Sequence, residues 1–238
     1  SFDVLDVQNI NGYFCHICDL KKGEIDLNNS LVKAEINNVD RKSIMSNHTA
    51  THMLHESLKR VLGEHVQQSG SLVTKDKLRF DYTHSSRLID EEILEIEEII
   101  NSKILQNIVV ETEVSTYEKA VESGAVALFG EKYTEEVRVV GMGDVQGNTY
   151  STELCGGTHV NRTGDIGQFK LLSESGVSAG IRRIEAVVGL AANLHTNSIQ
   201  NSLNEVAALL KVSPSEVPSR VGTLIQERKK LEKQINLV

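Results

Sequence analysis

The sequence predicts an α+β fold. It reads as a small N-terminal β-subdomain at residues 1–45, a mixed α/β domain with a mainly antiparallel sheet at 46–189, and a helical C-terminal segment at 190–238. Three observations carry the prediction. Short β-prone runs with turn dipeptides open the chain, a helical period of apolar residues sets in near Ser46, and strand patterns then return in pairs with helices between them. Recurring strand pairs favour antiparallel pairing over a parallel doubly wound sheet.

Taken in order, Val4–Val7 and Tyr13–Cys18 are β-prone, and Leu31–Ile36 alternates apolar and polar residues. Asn11-Gly12 and Lys22-Gly23 supply the turns. Ser46 or Asn47 is the expected N-cap of a helix carrying Leu54, Leu58, Val61 and Leu62 up to Gly63. A strand is expected over Lys77–Tyr82. Asp90 is then expected to cap a helix with Ile93, Ile96, Ile100 and Ile104 on one face. A strand over Asn107–Val114 leads to Ser115-x-x-Glu118, a capping-box spacing before a short helix that stops near Gly124. Further strands are expected at Val137–Val140, Gly167–Leu172 and Ile181–Val187. Leu190–Leu210 reads as a helix, and Pro214 and Pro218 fall in the break after it. Val221, Leu224, Arg228, Leu231, Ile235 and Val238 then recur with heptad spacing, over too few turns to separate a coiled coil from a helix lying on the body.

Composition narrows the classes. Of 238 residues, 39% are hydrophobic and 24% charged, with no Trp, so an aliphatic core of Ile, Leu, Val and Ala is expected. No stretch approaches the roughly 20 apolar residues of a membrane span. A net charge of −8 argues against binding nucleic acid through bulk charge, though a local basic patch can still guide one RNA end. Three cysteines, Cys15, Cys18 and Cys155, make no disulfide framework, which points to a reducing, cytoplasmic setting. The chain opens Ser-Phe-Asp-Val and closes within a helical pattern, so it reads as a piece of a longer protein.

The chemistry lies in two pairs. His48 and His52, at i and i+4, share one helix face and can grip one metal ion. Cys155-Gly-Gly-Thr-His159 carries two glycines that disfavour a helix, so a tight loop can bring its thiolate and imidazole together. Thiolate with imidazoles is a donor set for Zn2+. Thr49 stands where a zinc peptidase needs Glu, and the zinc-deaminase pattern is absent. Cys15-x-x-Cys18 lacks a second pair and sits in an expected strand, where its side chains diverge; it reads as structural. His55 reads as a supporting or pocket residue rather than a fifth ligand.

Asn47-His-Thr-Ala-Thr-His52, Gly70-Ser71, Leu78-Arg-Phe-Asp81, Gly124-Ala125, Ala127-Leu-Phe-Gly-Glu-Lys-Tyr133, Leu154-Cys-Gly-Gly-Thr-His-Val160 and Gly180-Ile-Arg-Arg-Ile-Glu-Ala186 occur in one order. Together they resemble the editing domain of alanyl-tRNA synthetases, also found in free-standing alanyl editing proteins, over about Asn47 to Gly189. The resemblance implies hydrolysis of tRNA(Ala) mischarged with serine or glycine, with zinc held at the positions of His48, His52, Cys155 and His159. It further implies that Thr51 and Gln68 line the pocket and decide which aminoacyl group is cut; Gln67 next to Gln68 leaves the register between them open. Arg182, Arg183 and Arg79 are candidates for the phosphates of the tRNA acceptor end, with ion pairing within the fold as their alternative. Gly143–Tyr150 is longer than the compact form of the family. No ATP- or alanine-activating region is read in the chain, so ATP would belong to a ligase part elsewhere in the parent, which could self-associate through its C-terminal region. Sequence leaves open a free-standing deacylase acting in trans, a non-catalytic zinc-stabilised tRNA-binding module, and whether zinc polarises the ester, activates water or fixes the pocket.

Overall fold

The computed structural model describes residues 1–24, 31–127, 133–143 and 149–235. Residues 128–132 of the Ala127–Tyr133 motif, 144–148 of the long Gly143–Tyr150 stretch, and Val238 of the heptad stripe lie outside the described residues. The chain divides into two compact units, Ser1–Ile36 and Asn37–Val238.

The first unit is a hairpin of β1 (Phe2–Ile10) and β2 (Tyr13–Leu20), paired antiparallel through Asn9↔Phe14 and Ile10↔Tyr13. Its turn is the expected Asn11-Gly12, with φ of 53° and 88°. Asn and Gly are the residues that reach these angles at least strain, and their twist matches that of the paired strands. Leu31–Ile36 carries no assigned helix or strand; its alternation is not met by a pairing edge among the described residues.

The second unit is built on α1 (Asn38–Leu62). Its cap lies nine residues before Ser46 and ten before Asn47, the expected caps. Asn37 caps it, its side chain accepting from the Val39 and Asp40 backbone N–H groups at 3.0 and 3.2 Å. The early turns are half-exposed and mostly polar, so the apolar periodicity that marks a helix is weak there. From Ser46 onward the buried face carries Ala50, Met53, Leu54 and Leu58, all fully buried. Against it pack β3 (Gln68–Val73), β4 (Leu78–Thr83) and the helix α2 (Asp90–Leu105). Ile89 rather than Asp90 is the residue before α2, and its N–H is satisfied by the Glu92 carboxylate at 2.9 Å. Ile96, Ile100 and Ile104 point from α2 into the core, as their spacing predicts.

Two antiparallel sheets complete the unit. One runs β3-β4-β9-β8, with β8 at Phe169–Ser178 and β9 at Ile181–Val188. The other runs β5-β6-β7, with β5 at Val109–Thr116, β6 at Glu136–Gly143 and β7 at Thr149–Leu154. The α+β reading with mainly antiparallel pairing therefore holds, with the pairing shared between two sheets. Strands β3 and β7 have no counterpart in the sequence reading: each is six residues long, and β3 is Gly- and Ser-bearing. The short helix α3 (Tyr117–Glu122) is capped by Thr116, one residue past the expected Ser115, with Lys119 N–H donating to its hydroxyl.

Buried Glu97 fastens α2 to β8, accepting from Leu171 N–H and Lys170 Nζ at 2.7 Å each. Tyr150 ties β7 to α1, its hydroxyl lying 2.8 Å from Ser57 Oγ and donating to the Met53 carbonyl at 3.0 Å. This second tie sets the distance between the helix and the strand that present the site. At the C-terminal end, α4 (Gly189–Leu210) closes on Lys211 in the left-handed conformation, and α5 (Val217–Ile235) follows. Pro214 lies in the break, whereas Pro218 sits in the first turn of α5, where a missing N–H costs no helical bond.

Candidate metal centre

His48 and His52 project from the middle of α1, one turn apart, with ring centroids 5.1 Å from each other. The loop after β7 brings the second pair to them. His159 lies 4.4 Å from the His48 ring and 5.0 Å from that of His52, and Cys155 Sγ is 3.4 Å from His48 Nε2. One donor atom from each of the four residues falls within 4.8 Å of every other. Four donors at metal–ligand bonds of about 2.0–2.3 Å stand roughly 3.5 Å apart in a tetrahedron, so the thiolate–imidazole spacing already suits a shared ion.

The loop has its shape for a local reason. Arg138 on β6 donates to the Gly156 and Gly157 carbonyls at 3.2 and 2.5 Å, and Cys155 N–H donates to the Arg138 carbonyl at 3.0 Å. A Cβ on Gly157 would fall inside the His48 imidazole, so the second glycine is required by close approach.

Hydrogen bonds decide which ring nitrogens face inward. The Thr49 hydroxyl donates its one proton to the Met45 carbonyl at 3.0 Å, so toward His159 Nδ1 at 3.3 Å it can only accept. His159 then carries its proton on Nδ1 and presents a bare Nε2. His52 Nδ1 is engaged by Glu153 Oε2 at 2.6 Å, which again leaves Nε2 toward the cluster. Both Nε2 atoms are buried and have no hydrogen-bond partner among the described residues. Buried polar atoms are almost always satisfied, so these two unpartnered nitrogens, in a cluster with a thiol, are placed to take a shared cation. The residues fit a metal ion.

Electrostatics agree. Burial pushes the Cys155 thiol up, but the surrounding His159, His48 and His52 imidazoles outweigh it and hold the group at about 3, as the thiolate that binds metals. Burial alone would lower the His52 imidazole; the Glu153 carboxylate beside it raises it instead to about 10. Glu153, pushed up by burial, is drawn far below the ordinary carboxylate range by His52 and His55. Burial lowers His159. Cys155 and Glu153 thus put negative charge in and behind the cluster, which a divalent cation held by the four donors would balance.

The cluster forms one wall of a cavity of about 450 Å³. Thr51, Gln68 and Ser71 line it with His48, His52 and Cys155. Thr51 Oγ1 donates to the Asn47 carbonyl at 2.9 Å, so its lone pairs remain as acceptors. Gln68 lines this cavity and a smaller neighbour; Gln67 lines only the neighbour. The three candidate RNA-binding arginines, on β4 and β9, are not among the residues that line this cavity. Arg183 makes a two-pronged pair with Asp81 at 2.7 Å on both arms, and Arg182 one with Glu174 at 2.5 and 2.6 Å. Arg79 Nε stands 3.8 Å from Asp81. Asp81 and Arg183 face each other across β4 and β9 in register. The ion-pair alternative is thus what the fold displays for these residues. Glu153 and Arg138 went unread in the sequence. A period-of-two count back from Cys155 along β7 would have placed Glu153 on the face of the cysteine.

The class of domain follows from comparison. Residues 137–185 match the family model described as the threonyl and alanyl tRNA synthetase second additional domain. That match contains Cys155 and His159, while His48 and His52 come from the helix before it. Over nearly its whole length the chain is similar to alanine–tRNA ligases: 46% identical to that of a Chelativorans species over 94% of the chain, 47% to that of Pseudoalteromonas translucida over 99%, and 46% to that of Legionella pneumophila over 99%. The chain is thus similar to one region of alanine–tRNA ligases, and it holds a match to a domain shared by threonyl and alanyl tRNA synthetases. It spans about a quarter of the length of these relatives, 26–27%.

Proposed function

We propose that this chain is the proofreading hydrolase region of an alanine–tRNA ligase, cleaving the ester of tRNA(Ala) mischarged with serine or glycine. The carrying observation is the junction of a three-imidazole, one-thiolate cluster with a cavity lined by Thr51 and Gln68. A space of about 450 Å³ lies within the range of small-ligand pockets. Zinc is the ion whose donor preferences the set meets, held by His48, His52, Cys155 and His159. Bound there, it would supply a fixed positive charge beside the cavity, polarising or positioning the substrate.

The remaining work belongs to the protein's own groups. Thr51, its proton committed to Asn47, offers lone pairs to the hydroxyl of a seryl group. An alanyl group would leave that buried acceptor unpaired, which is how a polar site rejects a ligand lacking a hydroxyl. Gln68 and Ser71 add amide and hydroxyl groups across the cavity. Water adds to the ester carbonyl and the ribose oxygen leaves with a proton, giving free amino acid and uncharged tRNA. The acceptor end of tRNA(Ala) is the partner in this reading, and the cytoplasm its setting; no described helix is long and apolar enough to cross a membrane.

Incubating the chain with Ser-tRNA(Ala) and with Ala-tRNA(Ala) tests the reading. Serine release well above the uncatalysed rate, with alanine spared, is expected. Zinc-loaded protein that releases neither would leave a tRNA-binding module without catalysis.

A further inference from the structure

The Glu153 carboxylate is shared. Its Oε2 lies 2.6 Å from His52 Nδ1 and its Oε1 lies 3.1 Å from His55 Nδ1, so one side chain grips two imidazoles a turn apart on α1. The three groups are 4%, 7% and 3% exposed for Glu153, His52 and His55, and this burial keeps water from competing for the bonds. Both carboxylate oxygens are occupied in this way, and Glu153 is not among the four residues whose donors converge.

Its backbone is held as firmly as its side chain. Glu153 pairs with Val140 across β6, and on its other side an isolated parallel bridge joins it to Val126, with Val126 N–H donating to Thr152 and Leu154 N–H to the Val126 carbonyl. A residue whose backbone is paired on both flanks, by β6 and by the Val126 bridge, is a rigid post from which its carboxylate can align a helix-borne ring. His55 holds the second oxygen and so blocks rotation of the carboxylate away from His52.

We infer that Glu153 is a positioning residue for the metal centre: it fixes the tautomer and ring plane of His52 so that Nε2 points at the ion, and His55 serves as the lock that keeps Glu153 turned toward His52. This rests on the metal reading of the cluster. Partners behind a ligating histidine contribute on the order of 10–100-fold in metal affinity. His55 Nε2 is itself buried and without a hydrogen-bond partner among the described residues. Its ring is therefore held through Nδ1 and by packing against Phe80, with centroids 5.4 Å apart.

The test uses the whole chain with Zn2+ and Co2+ as probes. Zinc affinity is measured by competition with a chromophoric chelator, and the visible spectrum of the Co2+ form reports ligand geometry. Glu153→Gln is expected to weaken zinc binding by roughly 10–100-fold and to shift the cobalt bands. His55→Gln should produce a smaller loss in the same direction. Wild-type affinity and an unchanged cobalt spectrum in Glu153→Gln would overturn the positioning role while leaving the metal centre standing. Wild-type protein that takes up neither ion would overturn both. Should Glu153→Gln not fold, Glu153→Asp decides. It keeps the charge but is one methylene too short to span both rings, so weakened binding supports the role and undiminished binding ends it.

Discussion

At the scale of single residues, the site depends on groups that each have one geometric task. Cys155 is the one anionic donor of the four, held as a thiolate by the imidazoles around it. Cys155→Ala should lose bound zinc, read by elemental analysis, and seryl-tRNA hydrolysis with it; full hydrolysis in zinc-free variant protein would show the metal to be dispensable. Thr51→Val keeps the shape and removes the acceptor. It should cut discrimination between seryl and alanyl esters by about 10–100-fold, the scale of a single buried polar contact, as measured by the ratio of the two deacylation rates. Asp81 titrates in a different cause. Hydrogen bonding from Arg183 holds its carboxyl below the ordinary range in the folded chain. A depressed folded pKa gives stability that is present above the unfolded value of about 3.9 and is lost as pH falls through the folded one. The Tm gap between wild type and Asp81→Asn should thus be open at pH 7 and close below about pH 4. A gap that persists unchanged to lower pH would contradict this account.

At the scale of elements, the decisive contact is that of α1 with the end of β7. Two histidines on a helix can meet a cysteine and histidine on a loop only if helix and strand keep a fixed spacing. Tyr150 maintains it through Ser57 and the Met53 carbonyl. Tyr150→Phe should cost about 1–3 kcal/mol in denaturant unfolding, because the buried Ser57 hydroxyl loses its partner. Gly157 holds the loop against His48. The arginines show the opposite lesson at this scale. Arg182 and Arg183 alternate on β9 as any strand residues do, and pairing with β4 and β8 is what sets carboxylates in front of both.

For the molecule as a whole, a shared ion would link residues 48 and 159 across more than a hundred positions of chain. An ion bound only by the folded form stabilises it by about 4 kcal/mol at a thousandfold excess over Kd. For a unit of this size that is about 10 °C in Tm. Chelation should lower Tm by that order, and readdition of Zn2+ should restore it; a Tm indifferent to chelator would remove the ion from the folding balance.

Local chemistry made several features legible from sequence. The Asn11-Gly12 turn follows from residues that accept positive φ, the buried face of α2 from its isoleucine spacing, and the antiparallel preference from strand patterns returning in pairs. The four donors were legible too, because thiolate and imidazole at short spacings advertise their chemistry without a fold. Other features were decided by tertiary structure alone. The early turns of α1 are half-exposed and mostly polar and leave little apolar trace, and β3 and β7 carry too few apolar residues to alternate as the equally short β4 does. Glu153 is an ordinary acidic residue until the fold sets it behind His52 and His55. Sequence carries the identity of a donor, but which way its lone pair points depends on what binds the other side of the ring. Those partners arrive from a hundred residues away.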